Sequence, residues 1–293
     1  MFLLSGGAPA NASAGRPALF SRALSLYVGV LSRNSSEGAE ERAAFRATSL
    51  RTLASPGLEG WQVAHRFYVT VSTAGGAALQ ALEAEAARFG DLVLLPDDVA
   101  PGQPPRADRR TLSQRVHHLF AHAVRENATW VLKTDTDALV NFPSLLAELA
   151  VAPRKRFGWG RLGGPNDRTH PTAFLSSGLP DAARPYFSGT GTPYYLAGMG
   201  YVLSTDVLAD AAGRAFGDML DCEYLEDICT GLRLIPYKPV YRPDVRFCDG
   251  CGPGCCPEGP LLLVHHLRVA QMYEHGAVAL RTGVLRHPVP PQL

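Results

Sequence analysis

The sequence predicts an α/β protein with a mostly parallel central sheet flanked by helices, and three observations predict it. Apolar, β-rich runs alternate with Ala-, Leu- and Glu-rich helical stretches through the first half of the chain, the pattern of strands joined by crossover helices. The runs are short, and two of them are stopped by Gly75-Gly76 and by Pro96. One of them, Trp130-Val131-Leu132-Lys133, ends abruptly in Thr134-Asp135-Thr136-Asp137. Such a strand would deliver two carboxylates to the edge of the sheet, where ligands of α/β proteins sit.

The elements follow in order. Residues 24–31 read as the first strand, apolar and β-rich. Residues 40–53 read as a helix with a Phe45/Ala44 face and Arg42 and Arg46 on it. Residues 63–71 form the second strand, broken by Gly75-Gly76. Residues 77–89 are helical by composition, with Gly90 as the cap. Residues 91–95 form a third strand, stopped by Pro96. A Pro-rich loop precedes a helix over 111–127, with Leu112, Val116, Leu119, Phe120 and Ala123 on one side, and strand 130–133 follows. Beyond Pro143 the pattern loosens: a short helix at 142–150, a Gly/Pro-rich excursion at 153–193, and a helix beginning near Thr205-Asp206, with the N-cap there.

Composition sets bounds. The 293 residues suffice for a sizeable core. A net charge of +1 without a Lys/Arg block gives no electrostatic support for a nucleic-acid partner. No apolar run approaches the ~20 residues of a membrane helix, and Met1-Phe2-Leu3-Leu4 is too short for a signal-peptide core. Sequons at Asn11, Asn34 and Asn127 weakly favour a secretory compartment. The six cysteines all fall between Cys222 and Cys256. Their even number permits disulfides, while the run at 248–256 also resembles a zinc knuckle, for which adjacent Cys255 and Cys256 are awkward.

Two carboxylates at a sheet edge are costly unless something positive neutralises them. A divalent cation carrying a phosphate-containing ligand is the natural candidate. A turn with Asx caps and an aspartyl-phosphate nucleophile at Asp135 are the alternative readings. Four further segments join it: Tyr194 to Ser204, with Gly198 and Gly200 permitting close backbone approach; Leu225-Glu226-Asp227-Ile228, with paired acids opening an apolar helix; Leu262-Leu263-Val264-His265-His266, an apolar strand ending in two histidines; and Arg42 to Thr48.

In order and spacing these segments resemble the inverting β-1,3-glycosyltransferase family, which contains the β-1,3-galactosyltransferases and β-1,3-N-acetylglucosaminyltransferases. The family's Arg-x-x-Ile-Arg-x-Thr-Trp looks like Arg42-Ala43-Ala44-Phe45-Arg46-Ala47-Thr48-Ser49, and its Tyr-Gly-Asp-Ile like Phe89-Gly90-Asp91-Leu92. Its Asn-Leu-Thr-x-Lys looks like Thr111-Leu112-Ser113-Gln114-Arg115, and its Lys-Thr-Asp-Asp-Asp-Val-Phe-Val-Asn is similar to the stretch Lys133 to Asn141. Its Gly-x-Gly-Tyr-Val-Leu-Ser is similar to Gly198 to Ser204, its Glu-Asp-Val-x-x-Gly to Glu226 to Gly231, and its Val-His with a later Met to Val264-His265 and Met272. The departures are Thr136 for the middle Asp, Ser49 for Trp and Arg115 for Lys. The family's type II membrane anchor has no counterpart in residues 1–20.

The resemblance implies a GT-A fold in a single catalytic domain at about 21–280, with a nucleotide half at about 21–142, an acceptor half at about 143–280 and a Pro-rich tail at 281–293. It implies a UDP-sugar donor, Mn2+, a glycan acceptor on glycoprotein or glycolipid, and a membrane-associated place in the Golgi lumen. Asp135, Asp137 and His265 would hold the metal. Asp227 would be the general base, with Glu226 as runner-up. Arg42 and Arg46 would sit near the nucleotide, Asp135 would contribute to holding the donor, and Gly198 and Gly200 would shape the donor-sugar pocket. The reaction expected is inverting β-1,3 transfer of galactose or N-acetylglucosamine. The alternative is an inactive relative that binds glycans or assists another transferase.

Overall fold

The computed structural model describes residues 24–71, 76–96, 107–163, 195–209, 226–250 and 256–286. Strand β1 (Ser25–Ser32) is buried along its whole length. Its side chains alternate between two apolar layers: Leu26, Val28 and Val30 face one, Tyr27 and Leu31 the other. That alternation is the period-two geometry of a strand covered on both faces. Parallel neighbours follow: β2 (Gln62–Val71) beside β1, β3 (Leu92–Pro96) outside β2, and β4 (Trp130–Asp135) on the other side of β1. Strand β7 (Tyr195–Ser204) runs antiparallel to β4 and to β6 (Phe157–Gly163), and β8 (Val240–Pro243) closes the edge parallel to β6. The order is β3-β2-β1-β4-β7-β6-β8. This is the mostly parallel α/β sheet that the sequence predicts.

Helices cover both faces. Helix α1 (Ser36–Ala47) buries Phe45 in one layer, joined there by α4 (Phe142–Leu149) and α6 (Val269–Thr282). Helix α3 (Ala107–Arg125) lays Val116, Leu119, Phe120 and Ala123 on the other. Gly29 is needed under α3, because a Cβ there would lie 2.0 Å from the Leu119 side chain. Helix α2 (Ala77–Phe89) ends as predicted at Gly90, with φ of +67°, the left-handed cap that glycine adopts without strain. Among the described residues no helix is long and apolar enough to cross a membrane.

Several boundaries differ from the sequence reading. The helix expected at 40–53 starts at Ser36, because Ser35 Oγ caps it by accepting from Gly38 N at 3.1 Å, and it gives way to a 3-10 turn at Leu50–Ala54. The excursion at 153–193 contains β6, and residues 164–194 lie outside the described part. Where a helix was expected to begin near Thr205, the chain forms a 3-10 turn, Thr205–Leu208, without a side-chain cap; it turns α-helical at Ala209, and the residues that follow lie outside the described part. The Thr205 hydroxyl donates to the Ala128 carbonyl instead. Cys248 and Cys256 form a disulfide, and Cys229 is disulfide-bonded as well, which replaces the zinc-knuckle reading of that run.

A second, three-stranded sheet packs beyond the C-terminal end of β4. Its order is β5 (Leu139–Val140), β10 (Leu263–His265), β9 (Phe247–Asp249). Strand β5 directly follows the Asp-x-Asp, and β10 ends in the first histidine. The helix α5 (Glu226–Leu234) starts with the paired acids.

Candidate active site

The small sheet is what brings distant residues together. Asn141 N donates to Leu262 O at 2.9 Å, and Leu267 N donates to Asp137 O at 2.9 Å. These two bonds bracket β5 against β10, so Asp137 and His265 face each other. His265 Nε2 lies 3.2 Å from Asp135 Oδ2 and 3.2 Å from Asp137 Oδ1. The opposite ring nitrogen, Nδ1, is 3.5 Å from Asp249 Oδ1, which is also 2.8 Å from His266 Nδ1. The two imidazoles stack with centroids 3.9 Å apart. His266 adopts φ of +60°, a left-handed conformation uncommon outside glycine.

Three carboxylates thus converge on one imidazole. Burial alone would lower the His265 pKa, but Asp135, Asp137 and Asp249 overcome it and raise the pKa to about 11. Burial likewise pushes the Asp135 carboxyl up, and Lys133 and His265 reverse that and hold it at about 2. The cluster demands positive charge. Donor atoms of Asp137, His265 and His266 lie within 4.8 Å of one another, close enough to share one ion. Carboxylate oxygens with imidazole nitrogen suit a divalent ion such as Mn2+. The residues present therefore fit a metal.

Lys133 stands between this cluster and the paired acids, and sequence reasoning passed it over as part of a strand. Its ammonium is 2% exposed, lies 3.2 Å from Asp135 Oδ1 and 3.6 Å from Glu226 Oε2, and donates to the Gly198 carbonyl. Gly198 N in turn donates to Asp227 Oδ2 at 2.9 Å. The second Asp227 oxygen accepts from Ile228 N at 2.9 Å. Glu226 is more heavily engaged. Tyr201 donates to its Oε1 at 2.5 Å and Thr230 Oγ1 at 3.0 Å, while Lys133 faces Oε2. Burial raises the Glu226 pKa, the nearby Asp227 adds to that, and Lys133 opposes it.

Three expected site residues are placed elsewhere. Arg42 is 1% exposed. Its guanidinium makes a two-point contact to Glu85 at 2.9 and 2.6 Å and bonds Ser32 Oγ and Arg33 O. Arg46 forks onto both oxygens of Asp91 at 2.8 Å, meets Glu85 at 2.8 Å, and lies over the rings of Phe67 and Phe89. In this structure their donors tie α1 to α2 and to the residue before β3. Gly200 is also a packing position, since a Cβ there would lie 2.5 Å from Leu263 Cδ1. Gly198, by contrast, lies where a Cβ would meet Asp227 Oδ2 at 3.3 Å.

The departures from the family pattern have local explanations. The Ser49 hydroxyl accepts from Val140 N at 3.0 Å, and so supports β5 beside the Asp-x-Asp. Arg115 Nη1 donates to Ser32 O at 2.6 Å, at the end of β1. Thr136 donates to Glu41 Oε2 on α1 at 2.7 Å.

Comparison with known proteins agrees with the motifs. The chain is 29% identical over 290 residues to mouse β-1,3-galactosyltransferase 6, covering 97% of this chain and 82% of that protein. No protein-family model matches the chain. Among solved structures it is similar to mouse xyloside xylosyltransferase 1 in its apo form, with a TM-score of 0.41 and 10% identity over 83% of this chain and 97% of that one. It is also similar to the bifunctional glycosyltransferase WbbM, with a TM-score of 0.46 and 11% identity over 86% of this chain and 47% of that one. The resemblance to the β-1,3-glycosyltransferases is borne out along nearly the whole chain, and the protein is glycosyltransferase-like.

Proposed function

We propose that this protein is a metal-dependent, inverting β-1,3-hexosyltransferase of GT-A type, taking galactose or N-acetylglucosamine from a UDP-sugar to a hydroxyl of a glycoprotein or glycolipid glycan. One observation carries the reading. Two carboxylates at the end of β4 and in the turn after it meet the histidine that ends β10, and a second acid pair stands across Lys133 from them.

Asp135, Asp137 and His265 would hold the cation. When bound, it supplies the charge that stabilises a departing diphosphate. Asp227 is the better candidate base. Each of its oxygens accepts one backbone N–H, leaving further lone pairs, whereas Glu226 is tied by Tyr201, Thr230 and Lys133. In the step, the acceptor hydroxyl attacks the anomeric carbon from the face opposite the diphosphate. A new O–C bond forms, the C–O bond to the diphosphate breaks, UDP leaves with that electron pair, and Asp227 takes the hydroxyl proton. Lys133 and Gly198 hold Asp227 and Asp135 in register. The domain division, with a nucleotide half before about residue 142, the Golgi location and membrane association belong to the same proposal.

The test is UDP release from a panel of UDP-sugars with Mn2+ or EDTA and mixed acceptor glycans. Wild type releases UDP only with metal. Asp135→Ala, Asp137→Ala and Asp227→Asn each lose at least a hundredfold while keeping the native circular dichroism. Full activity in all three overturns the reading.

A further inference from the structure

The Cys-rich run has no role in the reaction described above, yet it lies against the histidines. Strand β9 pairs in parallel with β10, so Cys248 sits opposite Val264 and Asp249 opposite His265. Asp249 is latched on both sides. On one side, Cys248 is fully buried and disulfide-bonded to Cys256, and both sulfurs lie against the Asp249 carbonyl oxygen at 3.5 and 3.8 Å. On the other, Gly250 N donates to His265 O at 2.8 Å, an approach so close that a Cβ on Gly250 would lie 2.4 Å from that oxygen. The carboxylate is thereby fixed beneath both imidazoles, 2.8 Å from His266 Nδ1 and 3.5 Å from His265 Nδ1.

An imidazole that binds a cation through one nitrogen needs the other protonated and oriented. A carboxylate accepting that N–H does both. The two His265 nitrogens face opposite sides: Nε2 lies 3.2 Å from Asp135 and from Asp137, and Nδ1 lies 3.5 Å from Asp249 Oδ1, a buried oxygen without a hydrogen-bond partner among the described residues. His266 shares the same carboxylate, stacks on His265, and keeps its left-handed backbone, a conformation that persists where its surroundings over-determine it. We infer that Asp249, anchored by the Cys248–Cys256 disulfide, is a positioning residue that aims His265 and His266 at the cation, and that His266 thereby adds a second imidazole to the site. The inference rests on the cation site proposed above.

Mn2+ binding to the full chain, followed by the loss of the free-ion paramagnetic resonance signal, tests it without reference to turnover. Wild type, Asp249→Ala, Asp249→Asn, His266→Ala and Cys248→Ala/Cys256→Ala are compared, each with its circular dichroism and its unfolding midpoint without metal. Asp249→Ala weakens Mn2+ about 10- to 100-fold. Asp249→Asn, which keeps an acceptor oxygen, recovers most of that loss. His266→Ala and the disulfide-free variant weaken binding about tenfold. Should the disulfide-free variant not fold, the Asp249 pair decides. Wild-type affinity in Asp249→Ala, or equal losses in the Ala and Asn variants, overturns the positioning role while leaving the cation site standing. Unchanged affinity in His266→Ala overturns the second imidazole, and in a folded disulfide-free variant it overturns the anchor. Wild type that fails to bind Mn2+ overturns the cation site and this inference together.

Discussion

Replacing Lys133 by Met tests the electrostatic centre of the molecule. The side chain is nearly isosteric, so the perturbation is the loss of one buried charge. Its ammonium lies 3.2 Å from Asp135 and 3.6 Å from Glu226. At an effective dielectric near 20, each contact is worth about 5 kcal/mol before desolvation. Breaking a buried pair by removing one partner costs about 3–5 kcal/mol net. Asp135 keeps His265 as a partner and is partly exposed, so most of the loss falls on Glu226. Burial already raises the Glu226 pKa, and without Lys133 it rises further. A carboxyl whose folded pKa lies above its unfolded value costs stability as pH climbs through that window. The deficit of Lys133→Met therefore grows with pH, and Lys133→Met/Glu226→Gln recovers most of it. For a chain of this size the expected fall in unfolding midpoint is about 10 °C. Thermal and urea unfolding of the four-member cycle at pH 5 and pH 8 reads it. A loss below about 1 kcal/mol, or a double variant no better than Lys133→Met, refutes the argument that Lys133 compensates Glu226.

Three further outcomes are expected. Thr136→Asp, which restores the family's middle residue, sets a buried carboxylate against Glu41 and lowers stability by about 1–3 kcal/mol in urea unfolding, and adding Glu41→Gln relieves it. Gly29→Ala forces a Cβ into Leu119 and costs about 1–3 kcal/mol by the same measurement. Burial, aided by Arg125 and His118, lowers the His122 pKa to about 4. The unfolded imidazole binds its proton near pH 6.5 and the folded one does not, so stability is lost as pH falls from about 6.5 towards 4, by about 1–2 kcal/mol after solvent screening; His122→Gln flattens that slope in acid titrations followed by circular dichroism.

The elements legible from residues alone were those with long one-dimensional patterns. Strands β1, β2 and β4 announced themselves as apolar runs, and α2 ended where Gly90 could turn left-handed. The small sheet was not legible in this way. Its strands are two or three residues long, too short for any period to register. Yet that sheet joins Asp137 to His265, so the meeting of those two was foreseen only through family resemblance. The partners of Arg42 and Arg46 are illegible for a related reason. An arginine on a helix carries no signal of its partner, and Glu85 and Asp91 reach it only once α2 and β3 have packed. Lys133 hid inside an apolar run, where its neighbours reveal nothing of the Glu226 and Gly198 that surround it. Asp249 is hidden in a run whose cysteines, open to disulfides or a zinc knuckle, carry the stronger signal.

Thr136 bears on an ambiguity that the sequence leaves open. A carboxylate pair separated by one residue can be a turn or a ligand set. Here Asp135 and Asp137 both reach His265 Nε2, while the residue between them is buried and faces α1. Its hydroxyl donates to Glu41, which also pairs with Arg33 at the end of β1. The middle position is therefore held from the side away from the histidine, and its chemistry answers to α1 rather than to His265. A neutral donor suits Glu41 better than a third carboxylate would, because like charges buried at hydrogen-bond distance cannot both stay ionised without cost. The substitution that looks like damage to a metal motif is, in this fold, an adjustment between that motif and the helix behind it.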